Sequence, residues 1–175
     1  LEVGLRELRR CGKTKGSVFT MHQDALPTDS SFFQTLLDLL DQTVAVVGVR
    51  EQSAHGSPAR VVHPLGALWR YSTLDSLSVG LLPRMPAFDV GEHAVAIAQQ
   101  QGWKIQSLFN SFSDPDIEEK LGLKPWDGPQ WDRVYGQKGN LCFLHLGRGI
   151  QKSTGGGTPT GLQEWVNFVE GVLEA

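Results

Sequence analysis

A run of mainly β-branched residues at positions 43–50 (TVAVVGVR) constrains the fold more than any other part of the chain. Its side chains are apolar at odd and even positions alike. A strand with this pattern must therefore be covered on both faces, because neither face has polar groups for water. The run predicts a strand in the middle of a sheet.

Strand and helix patterns alternate irregularly along the rest of the chain. Strand-like segments lie at residues 16–21, 61–71, 77–82, 103–109, 133–136 and 140–147, and Pro64 predicts an edge position or a bulge in the second of them. Helical patterns begin near residues 31, 89, 113 and 158, and a short basic helix precedes Gly12. Runs of two and three strands replace strict βαβ alternation. We therefore predict a single α+β domain, with a mixed and mostly antiparallel sheet packed with three to four helices.

The clearest helix signal starts at Ser31. Ser31 and Gln34 have the spacing of a capping box, in which each side chain satisfies a free backbone N–H of the other. The apolar residues that follow recur at i, i+3, i+4 and i+7: Phe33, Leu36, Leu37 and Leu40. We predict that these four residues form the buried face of a helix.

The charge balance limits the classes of function. The chain has 16 basic and 19 acidic residues, a net charge of −3, which does not fit a whole-surface nucleic-acid binder or a polybasic membrane protein. Its apolar runs are far shorter than the ~18 residues of a membrane span, so no membrane partner is expected. Residue 1 is Leu and the first methionine is Met21. We therefore expect this domain to be part of a larger protein or assembly.

Cysteine usage points to a reducing compartment. Cys11 and Cys142 form neither a C-x-x-C motif nor a disulfide framework. We predict two reduced thiols in a cytoplasmic protein. Cys142 lies in an apolar strand-like segment, which indicates a small buried core residue.

A glycine-rich loop at residues 146–161 (LGRGIQKSTGGGTPTG) is the most suggestive segment chemically. Glycines let backbone N–H groups converge, and the N-terminus of the following helix adds partial positive charge, so the loop can hold an anion. We predict that it binds the backbone of RNA or DNA through Arg148, Lys152, Ser153, Thr154, Gly155, Gly156 and Gly157. The alternative is that the segment only connects the last strand to the last helix, since neighbouring glycines favour flexibility.

Two tryptophans, Trp126 and Trp131, lie in a segment rich in turn residues. They are either packed against the domain or exposed as anchors for a partner. The second possibility predicts a protein–protein interaction or scaffold domain.

The five histidines show no H-x-H, H-E-x-x-H or paired Cys/His spacing, so we predict no metal and no other cofactor. His145 stands at the end of a predicted strand, beside the positive loop. It is a candidate acid–base group for a small hydrolase or transferase, although a histidine on an apolar face more often has a structural role.

The sequence as a whole favours a non-enzymatic module that binds an anionic partner, with nucleic acid first among these. A scaffold domain that uses the Trp126 loop is the alternative, and a hydrolase or transferase based on His145 is the second alternative.

Overall fold

The β-branched run forms a strand inside a seven-stranded sheet. The computed structural model describes residues 2–12, 15–22, 24–28, 30–51, 61–77, 80–82, 84, 87–88, 90–129, 131–146 and 159–173. The strands are β1 (Ser17–Met21), β2 (Ala25–Pro27), β3 (Val44–Glu51), β4 (Val61–Arg70), β5 (Lys104–Asn110), β6 (Asp132–Tyr135) and β7 (Leu141–His145). The helices are α1 (Glu2–Arg10), α2 (Phe32–Leu39), α3 (Tyr71–Ser76), α4 (Glu92–Gln100), α5 (Ile117–Lys120) and α6 (Pro159–Leu173).

The sheet has the strand order β1-β4-β3-β5-β6-β7-β2. Five of its six pairings are antiparallel, and only β3 and β5 run parallel. A parallel pair needs a long connection, and here β4, α3 and α4 lie between the two strands in the chain. The predicted α+β class and the mixed, mostly antiparallel sheet are confirmed. The described part of the chain has six helices, however, where the sequence predicts three to four.

Both faces of β3 are covered, as its composition predicts. Val44, Val47 and Val49 belong to one cluster of buried residues. Ala45 and Val46 belong to a second cluster, which also contains residues of β4 and α4. The prediction of a central strand at this position is therefore confirmed.

The strand β4 accommodates Pro64 by a bulge. In the pairing with β3, Gly48 faces Ala67, whereas the next residue, Val49, faces His63. Residues 64–66 of β4, Pro64 among them, therefore have no partner residue on β3. A proline has no N–H to donate to a neighbouring strand, so the bulge places it where no such bond is needed.

The strand predicted at residues 77–82 is wrong. The chain turns directly from β4 into the helix α3, and the described residues of 77–82 form no strand. Tyr71, Leu74 and Leu77 are buried at three-residue intervals. This helical spacing begins at Tyr71, the last residue of the preceding predicted strand, and reaches Leu77, where the next strand was predicted to begin.

The helix α2 is confirmed, but its predicted buried face is partly wrong. Phe32 and Leu36 are buried, whereas Phe33 and Leu37 are 41% and 47% exposed. The helix is only eight residues long and has Phe at two consecutive positions. Either phenylalanine continues a helical stripe, and the packing of Phe32 against Phe143 decides which one turns inward.

A buried network of charged and polar side chains links β6 to α5. Arg133 Nε donates to Glu118 Oε1 at 2.5 Å, and the Tyr135 hydroxyl donates to the same oxygen at 2.7 Å. Burial opposes ionisation of Glu118, but these hydrogen bonds and the charge of Arg133 outweigh it and hold the carboxyl pKa below its usual value. Burial and the bond to Glu118 raise the pKa of Tyr135 to about 12.

The raised pKa of Tyr135 predicts a loss of stability in alkaline solution. An unfolded tyrosine titrates near pH 10, so the unfolded chain ionises before the folded one. The contribution of Tyr135 is complete below about pH 10 and is lost as the pH rises toward about 12. Chemical unfolding of the wild type and of Tyr135→Phe at pH 8 to 12 should show the stability difference shrinking over this range. A constant difference would contradict the assignment.

Neither Cys11 nor Cys142 forms a disulfide. Cys142 is buried in β7, as predicted, and Cys11 is exposed after α1. Within the described residues, no helix has the length and apolar character needed to cross a bilayer.

Candidate metal centre

The pairing of β2 with β7 brings together two segments that are far apart in the sequence. Ala25 faces His145 in this pairing, and the Leu146 backbone N–H donates to the Asp24 carbonyl oxygen at 3.0 Å. The residues just before β2 are thereby held beside the end of β7. The polar composition of residues 22–30 predicts a loop, which is wrong for the strand β2 at Ala25–Pro27. The contact with β7 was therefore not predicted.

His145 lies between two aspartates. Its cross-strand neighbour on β6 is Asp132, and His145 Nδ1 lies 3.0 Å from Asp132 Oδ2. The opposite ring nitrogen, Nε2, lies 3.3 Å from Asp24 Oδ1. A carboxylate can only accept a hydrogen bond, so Nδ1 carries the hydrogen and donates it to Asp132.

A fourth residue, His22, completes this group, which we call the histidine–aspartate cluster: His22, Asp24, Asp132 and His145. His22 Nδ1 lies 3.8 Å from Asp24 Oδ1, and the His22 and His145 rings have centroids 5.9 Å apart. One donor atom from each of His22, Asp24 and His145 can be chosen so that all three lie within 4.8 Å of one another.

The Nε2 atom of His145 is buried and has no hydrogen-bond partner among the described residues. With the hydrogen on Nδ1, Nε2 presents a lone pair toward the oxygen of Asp24, and two acceptors at 3.3 Å repel each other. A positive charge between them removes the repulsion. A proton on Nε2 would not form a hydrogen bond to Asp24, because the contact does not have hydrogen-bond geometry. A metal ion can bind both atoms in this geometry, because it does not need to lie on the line between them.

The surroundings of the cluster differ from one side to the other. The His145 side chain is 10% exposed, whereas those of Asp24 and His22 are 22% and 37% exposed. Burial lowers the pKa of His22, with the nearby Asp24 opposing that shift and His145 adding to it. The neutral ring favoured by burial is also the form in which histidine binds a metal.

Sequence analysis identified His145 but missed its partners. The missed signal is the pair His22 and Asp24, which are separated by one residue. The two residues belong to one turn, in which the Ala25 N–H donates to the His22 carbonyl oxygen at 3.3 Å. This turn brings both side chains to His145, so the pair can offer two donors to one ion. The common zinc spacings consist of histidine pairs or paired Cys and His, and a pair of histidine and aspartate lies outside them.

The two tryptophans of the turn-rich segment occupy different environments. Trp131 is buried and packs edge-on against Trp165 of α6, so the packing alternative holds for this residue. Trp126 is half-buried, donates its indole N–H to the Pro129 carbonyl oxygen, and lies under the guanidinium of Arg133. Partner binding by this loop stays a prediction, and it now rests on Trp126.

The predicted anion site of the glycine-rich loop lies outside the described residues: Arg148, Lys152, Ser153, Thr154, Gly155, Gly156 and Gly157. It stays a prediction with a direct test. If Arg148 and Lys152 bind phosphates, replacing both by alanine should weaken binding of all nucleic-acid sequences about equally. The slope of log K against log salt should also fall by about 2.

The control for this experiment is Lys124→Ala, which removes one exposed cation from another loop and should leave the slope unchanged. The prediction fails if the wild type does not bind nucleic acid at low salt, or if the double variant binds as the wild type does.

Comparison with known proteins adds no functional information. No protein-family model matches the chain, and no curated protein or solved structure matches it either. The functional interpretation therefore rests on the geometry of the histidine–aspartate cluster.

Proposed function

We propose that the protein binds a divalent first-row transition metal ion, with Zn²⁺ as the leading candidate, through His22, Asp24 and His145. The observation that carries the proposal is the buried Nε2 of His145, which faces a carboxylate oxygen at 3.3 Å without a hydrogen bond. This proposal differs from the expectation drawn from the sequence, which is that the protein binds no metal.

The donor set and its spacing support this ion class. Two imidazoles and one carboxylate suit Zn²⁺ and related divalent ions, whereas Ca²⁺ and Mg²⁺ prefer oxygen ligands alone. Two ligands of a tetrahedral ion with bonds of about 2.0–2.1 Å lie roughly 3.3–3.4 Å apart. The separation between His145 Nε2 and Asp24 Oδ1 matches that value, and the His22 ring needs only a small movement to join them.

Asp132 has a different role, that of a positioning residue. A metal-binding histidine commonly donates its other ring N–H to a carboxylate, which fixes the tautomer and raises the basicity of the ligand nitrogen. The Nδ1 to Oδ2 contact of 3.0 Å between His145 and Asp132 has this arrangement. Asp132 therefore prepares Nε2 to bind a cation.

The test is a competition titration of the chelator-treated full chain with Zn²⁺, using a chromophoric chelator as the competitor. We expect one ion per chain. His22→Ala and Asp24→Asn each remove a ligand from the partly exposed side of the cluster, and each should weaken binding by more than about 100-fold. Asp132→Asn keeps all three ligands and should weaken it by about 10–100-fold.

The matched control is His93→Ala, which removes a half-buried histidine of α4 that is not in the cluster. It should bind Zn²⁺ as the wild type does, and circular dichroism should show that all four variants are folded. Equal affinity in the wild type, His22→Ala and Asp24→Asn would refute the proposal. The proposal would also be refuted if the wild type took up no Zn²⁺ in the presence of the chelator.

A further inference from the structure

The number of protein ligands and the exposure of the cluster together suggest what the ion does. We infer that the bound ion keeps one coordination position open on the side of His22 and Asp24, and that it presents a water there as the nucleophile for hydrolysis of uncharged carbonyl compounds, esters or amides. This inference rests on the proposed function.

The open position follows from the number of donors. Among the described residues, His22, Asp24 and His145 offer three ligand atoms that lie close to one another. Asp132 contacts the other nitrogen of His145, so it does not supply a fourth. Structural zinc sites have four protein ligands, whereas catalytic sites have three and a water. Solvent reaches the Nε2 side of His145 through His22 and Asp24, whose side chains are partly exposed. Asp132, on the Nδ1 side, is partly exposed as well. A fourth ligand taken from the solvent therefore has access.

The charge of the site favours an uncharged substrate. The two charges of the ion are balanced by the carboxylates of Asp24 and Asp132, which lie on either side of His145. Within the described residues, the arginine next to Asp132 in the chain, Arg133, does not change this balance. It follows Asp132 in β6, so its side chain points to the opposite face, where it is paired with Glu118. The described part of the site therefore offers a phosphate ester no excess of positive charge.

The reaction balances with water as the only co-reactant. A divalent zinc ion lowers the pKa of its water toward 7, and the released proton passes to the solvent on the exposed side. An ion held by His22, Asp24 and His145 would supply a hydroxide at neutral pH and a positive charge near the carbonyl oxygen. The hydroxide would form a bond to the carbonyl carbon, the carbonyl oxygen would take the negative charge, and the bond from carbon to the leaving oxygen or nitrogen would then break. The products would be a carboxylate and an alcohol or amine, which regains its proton from solvent.

The test compares two probes, para-nitrophenyl acetate and para-nitrophenyl phosphate, on the Zn²⁺-loaded full chain. We expect hydrolysis of the acetate at least about tenfold faster than by the metal-free chain, a change of about 1.4 kcal/mol in the barrier. The phosphate should be hydrolysed more slowly than the acetate. The His93→Ala control should keep the rate of the wild type.

A second measurement tests the open position without turnover. Azide added to the Co²⁺-loaded chain should change the visible absorption spectrum, because it takes the open position. If Zn²⁺ or Co²⁺ binds but azide causes no change and the acetate is not hydrolysed, the inference fails while the metal site stands. Faster hydrolysis of the phosphate than of the acetate would refute the substrate class. If neither ion binds, the proposed function itself fails.

Discussion

Arg133→Met should lower the free energy of unfolding by about 3–5 kcal/mol, the largest loss that we expect from a single polar substitution in this chain. The side chains of Arg133 and Glu118 are only 12% and 11% exposed, and Glu118 accepts hydrogen bonds from both Arg133 and Tyr135. Methionine fills most of the space of the arginine stem. It leaves the Glu118 carboxylate buried without its counterion, however, and this uncompensated charge is the cause of the loss.

Two comparisons test this cause by urea unfolding. Adding Glu118→Gln to Arg133→Met removes the stranded charge, so the double variant should regain part of the lost stability. The matched control is Arg10→Met, which breaks an exposed ion pair with Glu7 and should cost less than about 1 kcal/mol. A double variant less stable than Arg133→Met alone would show that the buried charge is not the main term.

Leu36→Ala should cost about 2–5 kcal/mol, because Leu36 is fully buried against the sheet and its removal leaves a cavity. Leu37→Ala is the matched control on the next residue of the same helix. Leu37 is 47% exposed, and its replacement should change the stability by about 0.5 kcal/mol or less. Thermal or urea unfolding of both variants measures the difference. Equal losses would mean that α2 presents a different face to the sheet.

The sequence was most informative where local pattern and final packing agree. The alternation-free apolar run of β3, the strand β5 and the hairpin of β6 and β7 were predicted because such segments have few other ways to bury their side chains. The face of α2 could not be chosen from spacing alone, since Phe32 and Phe33 both continue a helical stripe. Contact with Phe143, more than a hundred residues away in the chain, makes the choice.

The candidate site was the least predictable part, for a similar reason. His145 could be singled out because it ends a predicted strand. His22 and Asp24 could not, because the pairing of β2 with β7 depends on a strand of only three residues. So short a segment has no periodicity to detect. Glu118 shows the same limit. An acidic residue in the first turn of a helix is favourable by itself, so the sequence offers no sign of the partnership between Glu118 and Arg133.

The small edge strand β2 also has a consequence for how the chain is made. Ala25 pairs with His145, so β2 must wait for about 120 further residues, or roughly 6–24 s at synthesis rates of about 5–20 residues per second. An unpaired strand edge invites aggregation during such a delay. Here the strand is short and ends in Pro27, which has no N–H to offer a wrong partner. Pro27→Val should accordingly aggregate more than the wild type during cell-free synthesis, as measured by the fraction of new chains that sediment, and equal fractions would show that the proline has no protective role.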